Sequence, residues 1–335
     1  MAASQTMSSP NHHCAQPLWA ITSYFNPMRY RRRLANYHTF RENLKVPLIT
    51  VELSYGAENF DLREGEADTL IQLRGQDVLW QKERLLNVGL GALPSECTKV
   101  VWLDCDVIFG KDISGEEIFG EGGGGWAEEV SRLLDEFPLV QAFRRVHYLP
   151  RDLGPGEASL ADAESSRSSV ASAIASGLPA HASLSRFSQG RAHYAGGVAW
   201  AARRELLDEH GFYDARIVGG GDRAMACAAY GYFDVVMRLQ IMNERQEEHY
   251  LAWAKPYFES VGGAVSFADY EMFHLWHGEV PGRRYGERHE GLRGFQFDPY
   301  EDIAIDENGP WRWDSAKPQM HEWVKEYFAS RREDG

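Results

Sequence analysis

Cysteine is scarce and scattered. Cys14, Cys97, Cys105 and Cys227 are the only four in 335 residues, and none forms a C-x-x-C pair. That spacing argues against a zinc site and against a disulfide framework, and a reducing compartment is the simplest match. No stretch is apolar for the length of a membrane span, and none before the first strand-like run at Leu18 has the length of a signal peptide. Residues 1 to 16 read as a flexible polar tail. Positive charge is also in short supply: 35 Lys and Arg against 49 Asp and Glu leave a formal net charge of -14, which opposes general attraction to nucleic acid. The one basic run, Arg29 to Arg33 with Tyr30 inside it, is followed at helical spacing by Leu34, Tyr37, Phe40 and Leu44. It reads as an amphipathic helix with a solvated arginine face, the alternative being a phosphate or acidic-partner contact.

What is present is a globular composition, 44% hydrophobic and 12% aromatic with ten tryptophans, in a chain long enough for one large α/β domain with appendages. Leu18 to Thr22 reads as a strand, Ser23 to Pro27 as a turn-rich segment, and Met28 to Leu44 as a helix. Strands follow at Leu48 to Leu53, Thr69 to Leu73 and Val100 to Leu103, with a helix over Val78 to Leu90. Such alternation predicts an α/β fold, a largely parallel central sheet with helices on both faces. Catalytic groups then belong at the strands' carboxyl ends. Gly122 to Gly125 is no phosphate loop, because no strand leads in and no Lys-Ser/Thr follows. A helix over Trp126 to Glu136 and a strand over Leu139 to Phe143 come next. Residues 151 to 190 are rich in Ala, Ser and Gly, and are expected to form a mobile insertion with too little apolar surface for a core.

Three segments carry chemistry. Asp104 and Asp106 flank Cys105 directly after a buried strand; on an extended backbone both carboxylates would project the same way and address one cation. Hard oxygen ligands suit Mg2+ or Mn2+, which can offset charge on a diphosphate. The competing reading is a loop-capping aspartate pair. Gly196-Gly197 lets backbone approach a ligand closely, and Gly219-Gly220-Gly221 leads into Asp222, which serves as a helix N-cap, a general base, or both. His274 and His277 can supply a nitrogen ligand to the cation, or be hydrogen-bonded members of an aromatic cluster. Arg283 and Arg284 follow, suited to bidentate contact with a diphosphate.

This order of motifs resembles the GT-A glycosyltransferases, especially the galactosyltransferase-like and family-2-like enzymes. The resemblance is carried by Trp80-Gln81-Lys82-Glu83-Arg84-Leu85-Leu86-Asn87 before Leu103-Asp104-Cys105-Asp106. Gly196-Gly197, Gly211-Phe212-Tyr213-Asp214, Gly219 to Asp222 and His277-Gly278 then follow in order. It implies a GT-A catalytic domain over residues 17 to 278; residues 279 to 335, which have no family counterpart, are expected to pack on that domain or make a homo-oligomer contact. It implies a metal held by Asp104, Asp106 and His277, with His274 as runner-up. Donor contacts would come from Thr22, Asn26, Lys82, Arg84, Asp104 and Arg283, acceptor contacts from Gly196, Gly197 and Gly221, and the base from Asp222. The acid segment has that single acid where related enzymes carry Trp-Gly-Gly-Glu or Glu-Asp. The implied activity is metal-dependent, inverting transfer of a sugar from a nucleotide-diphosphate sugar, expected to be UDP-linked, to an acceptor hydroxyl. Secretory-pathway relatives often begin with a membrane anchor, so a cytoplasmic enzyme, or a chain trimmed of its anchor, is expected. The alternatives are a nucleotidyltransferase of related fold and a non-catalytic sugar- or nucleotide-binding module.

Overall fold

A computed structural model of the chain describes residues 18–110, 125–153, 163–185, 187–188 and 191–335. The expected tail at 1 to 16 and Gly122 to Gly124 lie outside the described residues. The chain opens with β1 (Leu18–Phe25), α1 (Arg31–Asn43), β2 (Leu48–Tyr55), β3 (Thr69–Gly75), α2 (Lys82–Leu90), β4 (Lys99–Leu103) and β5 (Val107–Phe109). Next come α3 (Trp126–Glu136), β6 (Leu139–Gln141), β7 (Arg145–Tyr148), β8 (Ser165–Ser168), α4 (Val170–Ala175), α5 (Ala180–Ser185), β9 (Phe187–Ser188) and β10 (Arg191–Ala192). Then follow β11 (Ala199–Arg203), α6 (Arg204–His210), α7 (Gly221–Ala229), α8 (Phe233–Leu239), α9 (Glu244–Val261), β12 (Val265–Phe267) and β13 (Glu271–His274). The last elements are α10 (Glu287–Arg293), β14 (Ile303–Ile305), β15 (Trp311–Trp313) and α11 (Pro318–Ser330).

The main sheet has the order β12-β6-β11-β4-β1-β2-β3 and is parallel except for β11, which runs against both neighbours. Strand alternation sends successive side chains to opposite faces. Ile21, Val51, Val100 and Trp102 therefore join α2, α7, α9 and α11 in one hydrophobic cluster. Ala20, Val101, Val140 and Ala201 join α1 and α3 in the other. A smaller sheet, β5-β13-β7-β8, stands beyond the carboxyl end of β4. No helix among the described residues is long and apolar enough to cross a membrane.

Two boundaries differ from the periodicity. β1 continues through Phe25 rather than turning at Ser23, since its pairing with β2 runs from Ala20 to Phe25. Helix α2 starts at Lys82 rather than Val78, because Trp80 N–H donates to Ile217 O (3.0 Å) and the Gln81 amide exchanges hydrogen bonds with Trp311 backbone (2.7 and 2.9 Å). The stretch judged too poor in hydrophobes contains packed structure: Val170, Ala171, Ala173 and Leu184 of α4 and α5 are buried. Small side chains fill space there that larger ones would overfill.

Residues 279 to 335 close one side of the molecule. Met320, Val324, Tyr327 and Phe328 of α11 are buried in the first cluster. The last residues reach back to the start of α1, where the Asp334 carboxylate accepts from Arg31 N–H (3.1 Å) and Arg32 N–H (2.8 Å). Those are amides a helix cannot satisfy internally. Gly278 makes this docking possible: its φ is +91°, and a Cβ there would lie 2.7 Å from Arg331 O and 3.1 Å from Glu333 Cα, backbone atoms that cannot swing aside. Gly278→Ala should therefore cost roughly 1–3 kcal/mol more than Gly262→Ala, whose φ of +57° is also left-handed but whose side-chain position is open. Paired denaturant melts read the difference; equal losses would mean that the tail contact contributes nothing.

Candidate active site

The carboxyl end of β4 opens into a cavity of about 460 Å³, within the usual size range of small-molecule sites. Asp104, Asp106, Asp222, Lys82, Gly196, Gly197, His274, His277 and Arg283 all line it, so most of the residues singled out from sequence converge. They do so differently from expectation. β4 ends at Leu103 and residues 105 and 106 form a turn, so the same-side rule for extended backbone no longer applies to the two aspartates. Asp104 points to Lys82, its Oδ1 2.5 Å from Nζ. Asp106 points to the histidines, with His277 Nε2 3.2 Å from Oδ2 and His274 Nε2 3.7 Å from Oδ1.

Asp106, His274 and His277 are a group that can hold a metal ion, their ligand atoms all lying within 4.8 Å of one another. The fit is chemical as well as geometric, because Asp106 Oδ1 is buried with no hydrogen-bond partner among the described residues. A carboxylate with two imidazoles suits Mn2+ better than Mg2+, which prefers oxygen alone. Burial works against the Asp106 anion, but His277, His274, Arg33 and Arg283 outweigh it and hold the carboxyl below its ordinary range. Burial pushes His274 down to about 3 against the pull of Asp106. Burial, with Arg283 beside it, also lowers His277. Both rings are thus neutral and able to ligate at ordinary pH.

On the other side stands Lys82, 8% exposed, the first residue of α2. Its ammonium donates to both Asp222 oxygens (2.9 and 2.8 Å) as well as pairing with Asp104. Burial alone would discharge it, but Asp104, Asp222 and Glu83 raise it well above the ordinary lysine value. The carboxyls of this knot feel the opposite strain. Burial lifts Asp104 up to about 6 despite Lys82, and burial with Asp222 lifts Glu83 to about 8. Asp222 is not the N-cap of α7: Gly220, in the left-handed region at φ 104°, holds that position, and Asp222 lies in the first turn with its carboxylate turned to Lys82. Gly197 is needed for that placement, since a Cβ there would come 2.6 Å from Asp222 Oδ2. The next residue, Val198, takes φ +83°, a strained value for a β-branched side chain, and its carbonyl accepts the Asp104 N–H (2.9 Å).

Several nominated residues lie elsewhere. Thr22 is buried with its hydroxyl donating to Leu103 O (2.7 Å); Ser23 and Phe25, one step out of phase on β1, face the cavity instead. Asn26 is bound to Tyr30 and Asp61, away from the cavity. Arg84 pairs with Asp214 (3.2 Å) and Gly309 O (2.8 Å), because on a helix it projects nearly opposite Lys82. Gly221 faces Glu83 rather than the cavity. Arg284 pairs with Glu287.

Sequence reasoning missed most of the cavity's positive charge: Arg33, Arg167, Arg223, Arg288 and Arg331 line it too. Arg33 is turned inward rather than solvated, and Glu333, 1% exposed, accepts from it (2.9 Å) and from Arg331 (2.6 Å). Trp80 Nε1, Gln240 Oε1 and the Nε atoms of Arg33, Arg283 and Arg288 are buried without a hydrogen-bond partner among the described residues. Such a wall calls for a polar, anionic ligand or ordered water.

No protein-family model matches this chain, and no curated protein matches it in sequence. Solved structures do. Glucosyl-3-phosphoglycerate synthase from Mycobacterium tuberculosis, in complex with Mn2+, UDP and phosphoglyceric acid, is 15% identical over 77% of this chain and 70% of that one, at a TM-score of 0.39. The catalytic domain of Drosophila β1,4-galactosyltransferase 7 with xylobiose is 10% identical over 92% of this chain and 98% of its own, at 0.33. S. aureus TarS 1–349 is 11% identical over 83% and 63%, at 0.32. These likenesses are distant.

Mn2+ titrations by calorimetry should show Asp106→Asn and His274→Ala each losing about 10-fold or more in affinity, with Asp104→Asn changing it less. Protons compete with a metal once pH falls to a ligand's own pKa, and both histidines lie below the ordinary 6.5, so the midpoint of the loss of wild-type affinity should lie below that value. A midpoint at 6.5 would place the metal on other residues.

Proposed function

We propose that the chain is a metal-dependent glycosyltransferase of the GT-A type, moving a sugar from a nucleotide-diphosphate donor, UDP-linked on this reading, to an acceptor hydroxyl with inversion. The observation that carries it is the division of one cavity by Lys82. A cation-ligand trio with arginines stands on one side, and Asp222, which shares the lysine with Asp104, on the other. Asp106, His274 and His277 would hold the metal, which when bound offsets negative charge on the departing diphosphate. Arg33, Arg283 and Arg331 bind the phosphates, and Phe25 and Trp80 give the base an apolar wall.

Asp222 takes the proton from the acceptor hydroxyl as its oxygen forms the new bond to the sugar carbon and the bond to the diphosphate oxygen breaks. Lys82 fixes both carboxylate oxygens in place. The same ammonium also pairs with Asp104, so one cation holds both aspartates. The lysine is thereby a positioning residue, as is Asp104.

Incubation with a panel of nucleotide sugars and Mn2+ tests the reading through release of nucleoside diphosphate from one donor. Tight binding of the panel without turnover would indicate a binding module; pyrophosphate released from a nucleoside triphosphate and a sugar phosphate would indicate a nucleotidyltransferase. Asp222→Asn keeps the shape and removes the base. Turnover should fall about 100-fold or more, while nucleoside diphosphate affinity stays within about 3-fold and the melting temperature stays close to wild type. A near-normal rate would leave Asp222 as a packing partner of Lys82 only.

A further inference from the structure

Glu333 is absent from the cavity lining, yet it stands directly behind a residue that belongs to it. His277 has its Nε2 3.2 Å from Asp106 Oδ2, while its Nδ1 is buried with no hydrogen-bond partner among the described residues. Glu333 Oε1 lies 3.7 Å from that Nδ1, longer than a formed hydrogen bond, and the Glu333 side chain is 1% exposed against 15% for Asp106. Stacking on the His274 ring, 5.0 Å between centroids, sets the plane of the imidazole. It does not decide which nitrogen carries the proton.

A neutral imidazole has one proton for two nitrogens. At Nδ1, sealed from water, a bare lone pair would face an anion with nothing to offset it, whereas an N–H there faces an acceptor. At Nε2 the open cavity can supply water or a cation to a lone pair. Glu333 is itself held in place, because Arg331 Nε donates to its Oε1 (2.6 Å) and Arg33 Nη1 to its Oε2 (2.9 Å). The backbone around it is packed just as closely: a Cβ at Gly282 would lie 2.9 Å from Ser330 O and 3.0 Å from Arg331 O. We propose that Glu333 is a positioning residue for the cation site, keeping the His277 proton on Nδ1 and so presenting the Nε2 lone pair beside Asp106. The consequence for cation binding rests on the metal site of the transferase reading; the hold on the ring rests on Glu333 and His277 alone.

Long-range proton–nitrogen NMR correlation of the metal-free full chain reads the tautomer directly at about pH 8, well above the ordinary histidine value. His277 is assigned by the signals lost in His277→Gln. The wild type should show Nδ1–H. Glu333→Gln leaves one oxygen to serve two guanidiniums and the ring, so the proton should move to Nε2, and Mn2+ affinity by calorimetry should fall about 10-fold or more. A purely structural role would change the melting temperature or the affinity and leave the tautomer as it was. Nε2–H in the wild type, or Nδ1–H that survives Glu333→Gln, would overturn the proposal; if the variant does not fold, the wild-type spectrum decides it. If the wild type binds no Mn2+, the metal reading fails, and the spectra still decide whether Glu333 holds the ring.

Discussion

A single buried ammonium organises this cavity. Lys82 begins α2, Asp104 follows β4 and Asp222 stands in the first turn of α7, so three elements distant in sequence meet at one nitrogen. Neither sign of charge is tolerable there alone. Burial drives a lysine at 8% exposure toward losing its proton, which the acids oppose, and burial drives Asp104 toward taking one up, which the lysine opposes. The neighbouring backbone conforms to this pairing: Gly197 makes room for the Asp222 carboxylate, and the strained Val198 hands its carbonyl to Asp104.

A second ion cluster ties the C-terminus to the same cavity. Glu333 neutralises Arg33 and Arg331 from behind the wall, while Asp334 caps α1 and Gly278 leaves the space. The chain as a whole is acidic, at -14, yet seven Lys and Arg line its cavity against three carboxylates. Such contrast focuses a local positive potential that the net charge conceals.

Much of the fold was legible because periodicity is a local signal. The bounds of α3 agree at both ends, and β2, β3 and β4 begin within a residue of their apolar runs. The site was legible only where chemistry is local. Asp104, Asp106, Asp222, His274 and His277 were found by their neighbours in sequence, and Asp106 was matched with His277, but the pairing of Asp104 and Asp222 with Lys82 was not foreseen. The aspartates diverge because the strand stops before them, at Leu103, and a turn follows. Lys82 was expected to contact the donor, since nothing in sequence reveals the acids paired with it. Arg84 and Thr22 fail by geometry: two residues along a helix, or one along a strand, is the opposite face. Arg331 and Glu333 lie far from any motif, and only the packing of α11 brings them in.

The position of a bound metal decides the roles of Asp104, Asp106 and Asp222. Anomalous diffraction from crystals grown with Mn2+ and UDP locates it directly. The predicted result is one strong peak bonded to an Asp106 oxygen and to the Nε2 atoms of His274 and His277, with the diphosphate against Arg33, Arg283 and Arg331. A peak ligated by Asp104 and Asp222 in place of Lys82, or nucleotide bound with no peak in the cavity, would contradict it.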